Sequence, residues 1–259
     1  MKKPIIGVVA ILLLGLAVFA GLSFWGDGID IGSTHFKTGS FAENMLTPPD
    51  TATSAAANVE DSVKKANVRQ PLDTTSKVIL FAGDSMLEGL GPRMAAYATA
   101  NGHTLINVIW YSSTTEIWGR GTRLKERIEE FHPDFIFISL GGNELFVSDI
   151  KKKRQKYLNN MLEQIGDIPY VWIGPPNWKP DTGINDMLAE SVAPGSFYLS
   201  NGQHFDRAKD GAHPTRQSAA AWCDRICKWV MDSSYHPIKL EVPVEAKGKC
   251  KTIVYQPEV

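Results

Sequence analysis

Cysteine is scarce, with three residues in a chain of 259 and no C-x-x-C pair. That excludes a disulfide-built scaffold and the common structural zinc motifs. Net charge is scarce too. With 27 Lys and Arg against 28 Asp and Glu, the chain has no bulk basic field, and nucleic-acid binding is not expected. No internal repeat is visible. Apolar material is plentiful: 43% of residues are hydrophobic, including 7 Trp, which excludes a wholly disordered chain. The length suits one α/β domain with additions, or two small domains.

The longest apolar run is at the N-terminus. Lys2 and Lys3 precede an uncharged stretch from Pro4 to Gly26, long enough as a helix to span a ~30 Å hydrocarbon core. The two lysines predict that the remainder lies outside the cytoplasm, anchored to a bacterial inner membrane with the main domain in the periplasm or otherwise extracytoplasmic. A cleaved signal peptide is the competing reading, with small residues around Val18-Phe19-Ala20. Residues 1–26 are therefore expected as anchor or signal, 27–76 as a linker, 77–235 as the main folded domain and 236–259 as a C-terminal tail. The linker reading rests on Pro48-Pro49 and the Thr, Ser and Ala run that follows.

From Lys77 short apolar runs alternate with helix-period segments. Strands are predicted over 77–83, 104–111, 134–141, 170–175 and 196–200. Helices are predicted over 86–102, 120–131, 150–165 and 215–231. That alternation predicts a three-layer α/β/α fold around a mostly parallel sheet. Functional groups of such sheets gather at the carboxyl ends of the strands.

Three polar clusters stand at such positions. Gly83-Asp84-Ser85 follows the first predicted strand, where a serine hydroxyl at the start of a helix is exposed. Gly141-Gly142-Asn143-Glu144 follows the third, offering close backbone and a side-chain amide donor. Asp210-Gly211-Ala212-His213-Pro214-Thr215 precedes the last helix, and an Asp three residues before a His can hold one imidazole nitrogen while the other faces a serine.

In this order the clusters resemble the SGNH (GDSL-type) hydrolase superfamily over residues 77–233. The resemblance implies a flavodoxin-like fold with Ser85 as nucleophile, His213 as general base and Asp210 as its orienting carboxylate. Ser85, through its backbone N–H, and Asn143 would donate to an oxyanion. Ser113 would occupy the position where the family has a glycine whose N–H completes the oxyanion hole. Glu144 replaces the family's usual Asp. The implied chemistry is acyl transfer through an acyl-enzyme, with no metal and no organic cofactor. The expected substrate is an acylated carbohydrate of the cell envelope, such as an O-acetyl ester, or another small ester. An O-acyltransferase with the same triad and a non-catalytic glycan-binding or assembly module are the alternatives.

Other residues carry weaker expectations. Trp178, in Pro175-Pro176-Asn177-Trp178, is a candidate sugar-stacking residue or a lid. His204 and Asp206 are read as loop polar groups rather than metal ligands, and Lys151-Lys152-Lys153-Arg154 as a solvated helix face. Cys227 and Cys250 are expected to pair, leaving Cys223 free.

Overall fold

The computed structural model describes residues 69–257 and, further upstream, the backbone of two short antiparallel strands, β1 (Ile29–Ile31) and β2 (Thr34–Phe36). The apolar segment Pro4–Gly26 lies outside the described residues. Among those described, no helix is long and apolar enough to cross a membrane.

The main body alternates strand and helix. Strands β3 (Val78–Gly83), β4 (Thr104–Trp110) and β5 (Phe135–Ser139) are almost wholly buried, as their unbroken apolar runs require. They continue into β6 (Tyr170–Ile173) and β7 (Phe197–Tyr198). The helices are α1 (Leu87–Ala100), α2 (Thr115–Arg120), α3 (Arg123–Phe131), α4 (Ile150–Ile165), α5 (Ile184–Ser191) and α6 (Arg216–Ser233). Strand β8 (Lys251–Tyr255) closes the order.

All six strands from β3 onward lie in one parallel sheet, in the order β7-β6-β5-β3-β4-β8. Its first five strands take the 2-1-3-4-5 arrangement of flavodoxin-like folds. Side chains alternate across the sheet and fill two cores. On one face Ile79, Phe81, Phe135 and Phe137 meet Met94 of α1 and Trp222 and Ile226 of α6. On the other, Leu80, Ile136 and Ile138 meet Trp118 of α2, Leu158 of α4 and Met187 of α5. The fold is thus a three-layer α/β/α sandwich, as the alternation predicts.

The ends of the domain differ from expectation. Residues 236–259 are not a tail: β8 pairs in parallel with β4 from Ile106–Lys251 to Trp110–Tyr255. As an edge strand β8 stays mostly exposed, so it lacks the buried run that marks the central strands. Residues before Lys77 also belong to the fold. The N–H groups of Gln70 and Asp73 donate to the carbonyls of Tyr235 and Pro237, both at 2.9 Å. The predicted helix 120–131 begins instead at Arg123, since Gly121 and Thr122 break it from α2.

The expected Cys227–Cys250 pair is not formed, and all three cysteines are free. Cys223 and Cys227 share the apolar stripe of α6 with Trp222, Ile226 and Val230 and point into the core. Cys227 Sγ rests 4.0 Å from Met94 Sδ. Cys250 is exposed beside Thr252 at the sheet edge.

Candidate active site

The carboxyl ends of β3, β4 and β5 and the loop before α6 converge. Between β3 and α1, Asp84 donates its N–H to the Ser139 carbonyl at 3.2 Å and accepts the Met86 N–H at 2.9 Å. The turn is held from both sides, and Ser85 stands at its apex. The Ser85 N–H makes no hydrogen bond to another described residue.

Ser85 Oγ lies 2.8 Å from His213 Nε2, and His213 Nδ1 lies 2.8 Å from Asp210 Oδ2. When the serine hydroxyl donates to Nε2, the neutral imidazole carries its proton on Nδ1 and donates it to the carboxylate. The other carboxylate oxygen accepts the N–H groups of His213 and Ala212, both at 2.9 Å. These backbone bonds, with the His213 side chain, hold the Asp210 carboxyl down at about 2.

Arg207 fixes this loop from behind. Its guanidinium donates to the Ala212 carbonyl at 2.8 Å and to the Pro176 and Asn177 carbonyls at 2.9 and 2.8 Å. Burial lowers its pKa. One side chain thereby ties the His213 loop to the loop after β6, a link invisible in the sequence because Arg207 belongs to no motif.

Asn143 sits in a 3-10 turn, Gly142–Glu144, entered through Gly141 at φ 117. Its Nδ2 donates to the Ser113 carbonyl at 2.9 Å, which leaves the second amide hydrogen uncommitted by that bond. Ser113 itself differs from expectation. Its N–H donates to the Trp110 carbonyl at 3.2 Å and its buried Oγ accepts the Trp118 indole N–H at 2.9 Å. Ser112 is the residue that lines the cleft, and its backbone adopts φ 57, a region that glycine enters with least strain. The Ser112 N–H makes no hydrogen bond to another described residue. The Ser113 N–H expected for an oxyanion is thus committed to Trp110, whereas the N–H of the neighbouring Ser112 is uncommitted among the described residues.

Glu144 is fully buried and ties two of these loops together. It accepts from Thr115 N at 2.9 Å, Thr115 Oγ1 at 2.8 Å and Arg154 Nε at 2.8 Å. Burial raises its pKa against the opposing pull of Thr115 and Arg154. Arg154 also pairs with Glu116, so the fourth member of the basic run is half-buried and paired, not solvated. Lys151 and Lys153, by contrast, make exposed contacts to Glu190 and Ser148. Beneath Ser85, buried Asp84 is pushed up to about 7, chiefly by burial and also by Glu144, against the Met86 N–H and His213.

The cleft over Ser85 measures 730 Å³. Its walls include Tyr111, Ser112, Asp210, His213 and Arg216, and the Tyr111 hydroxyl donates to Glu88. Trp178 does not line it. That ring packs against both cores at the strand ends and meets exposed Phe146 edge-on at 6.0 Å. His204 and Asp206 are exposed and bonded to each other at 3.3 Å. Among the described residues no three His, Cys, Asp or Glu side chains gather as a metal would require.

No family model and no curated protein matches the chain. Two similar solved structures are esterases. The psychrotrophic esterase EstA from Pseudoalteromonas sp., inhibited by monoethylphosphonate, is 18% identical with a TM-score of 0.42, and the match covers 59% of this chain and 96% of that one. A family 3 carbohydrate esterase from Clostridium thermocellum is 16% identical with a TM-score of 0.45, over 61% of this chain and 96% of that one.

Proposed function

We propose that the protein is a serine ester hydrolase that removes small acyl groups, such as O-acetyl, from cell-envelope carbohydrate. In this reading the apolar segment Pro4–Gly26 keeps the catalytic domain outside the cytoplasm. The observation that carries the proposal is the unbroken chain from Ser85 Oγ through His213 to Asp210, each link 2.8 Å, at the edge of an open cleft.

His213 Nε2 takes the Ser85 proton as Oγ attacks the ester carbonyl carbon. The carbonyl oxygen becomes an oxyanion, received by the N–H groups of Ser85 and Ser112 and the Asn143 amide. These donors are held before reaction, so little reorganisation is needed as charge develops. Collapse breaks the bond to the alcohol, which leaves with the proton from His213. Water then attacks the acyl-enzyme while His213 again takes a proton, and Ser85 is regenerated. Asp210 stabilises the imidazolium throughout. The His213 side chain is 38% exposed, which leaves the general base open to solvent. That supports hydrolysis over transfer to a second sugar.

The test is fluorophosphonate labelling of the full-length protein alongside acetyl-ester turnover. Wild type should label at Ser85 and hydrolyse. Ser85→Ala should lose both, with a fall in kcat on the order of 10⁶. A folded Ser85→Ala protein that keeps wild-type turnover overturns the proposal.

A further inference from the structure

The cleft over Ser85 does not end at the catalytic groups. Helices α1 and α6 touch where Gly89 faces Ala219: a Cβ at Gly89 would lie 2.6 Å from the Ala219 Cβ. A larger residue on α1 would force the helices apart, so glycine keeps the crossing low. The cleft over Ser85 borders this contact, lined by both Gly89 and Ala219. A second cavity of 670 Å³ lies between the same two helices. Glu88, Gly89 and Arg216 line both. The two spaces therefore adjoin at these three residues, each large enough for a drug-sized ligand.

The chemistry of the extension is distinctive. Arg93 and Asp224 bridge α1 and α6 with Nε 2.7 Å from Oδ1. Around this pair are small side chains, Ala220, Ala221 and Ala246, with Gln217 on α6. No aromatic or long aliphatic side chain lines it, so a fatty acyl chain would gain little by entering. Charged and amide groups beside short C–H patches, Pro92 among them, suit a chain that itself carries both hydroxyls and C–H faces. Ala246 comes from the segment leading into β8, so the same C-terminal return that adds the edge strand also supplies one wall.

Resting on the hydrolase reading above, we propose that this extension binds the leaving-group side of the substrate as an extended polyhydroxylated chain. The preferred substrate is then an acylated oligosaccharide or polysaccharide rather than a lone small ester. Remote contacts of this kind raise kcat/KM without touching the reacting bond.

The experiment measures kcat/KM of the full-length protein on p-nitrophenyl acetate and on O-acetylated N-acetylglucosamine oligosaccharides, as fragments of envelope-type carbohydrate, from disaccharide to hexasaccharide. The expected result is a rise of about tenfold with length, equal to ~1.4 kcal/mol. Ala221→Trp, at an exposed helical position that lines only the extension, should flatten that rise. Its p-nitrophenyl acetate turnover should stay within about twofold of wild type, since it leaves the cleft over Ser85 untouched. Gln217→Ala, which adds no bulk, should weaken the rise by a smaller amount. Wild-type turnover of p-nitrophenyl acetate with no rise with length, or a rise that survives Ala221→Trp, overturns the groove proposal alone. Absence of both p-nitrophenyl acetate turnover and fluorophosphonate labelling overturns the hydrolase reading and the groove with it.

Discussion

Asp210 and Asp84 are the same side chain on two sides of one Ser85–His213 pair, and their surroundings drive them in opposite directions. Asp210 stands in a half-exposed loop, takes two backbone N–H groups and an imidazole, and is held at about 2. Asp84 is buried under the turn, takes the Met86 N–H, and is pushed up to about 7. A charge costs little where water and donors surround it and much where they do not. The half-exposed side is thus built to keep an anion beside the histidine. The buried side is built to hold the turn.

The largest break in this contrast should come from Asp210→Asn. An amide there presents the wrong group to Nδ1–H, and kcat should fall by about 10⁴. Tm should barely move, because the side chain is half in solvent. A stopped or spectrophotometric acetyl-ester assay beside thermal melting separates the two effects. Loss of fold with loss of rate would collapse the distinction between the two carboxylates.

Asp84 should show itself in stability instead. Its folded pKa lies above the unfolded 3.8, so its contribution is fully present below about pH 4 and is lost as pH rises to about 7. The rise from 3.8 to about 7 corresponds to roughly 4 kcal/mol. Asp84→Asn should remove most of that decline. Urea midpoints measured from pH 4 to pH 8 should slope downward for wild type and run flatter for the variant. Asp210 acts with the opposite sign: its contribution is present above about pH 4 and is lost as pH falls to about 2.

Glu144→Gln probes the buried side at its other carboxylate. It keeps the shape but removes a fully buried charge facing Arg154 at 2.8 Å, and about 3 kcal/mol of stability should go. Arg154 retains Glu116, which places the loss at the low end of such pairs. Calorimetric unfolding measures it, and a change under 1 kcal/mol would mean the buried pair is no stronger than a surface one. The smallest effect belongs to Lys151→Ala. That residue starts the same basic run but pairs with Glu190 in the open, so stability should change by less than about 1 kcal/mol.

Buried strands were the most legible feature of the chain. VILFAG, TLINVIW and FIFIS are apolar on both faces, and only an interior parallel strand needs that. Ser85, Asn143 and His213 were legible because each sits in a short motif of turn residues at a strand or helix end. The Ser113 N–H is committed to the Trp110 carbonyl, and that of Ser112 is not, for a backbone reason. A one-residue difference in which N–H is left uncommitted depends on the φ of Ser112, and a run of Ser and Thr carries no signal for that. Arg207 and Arg154 were illegible as site-supporting residues because their partners are backbone carbonyls and carboxylates from other loops.

Sequence alone determined the alternation of elements, the parallel sheet and the carboxyl edge as the place where Ser85 and His213 meet. Those follow from local hydrophobic runs and turn chemistry, which act over a few residues. Tertiary structure alone decided that residues 251–255 return to pair with β4, that Cys227 faces Met94 instead of Cys250, and that Gly89 meets Ala219 where two cavities share Glu88, Gly89 and Arg216. Each of these depends on where distant segments meet. Edge pairing, side-chain direction and helix crossing are settled by packing across the whole domain, and residue order records only one partner of every such contact.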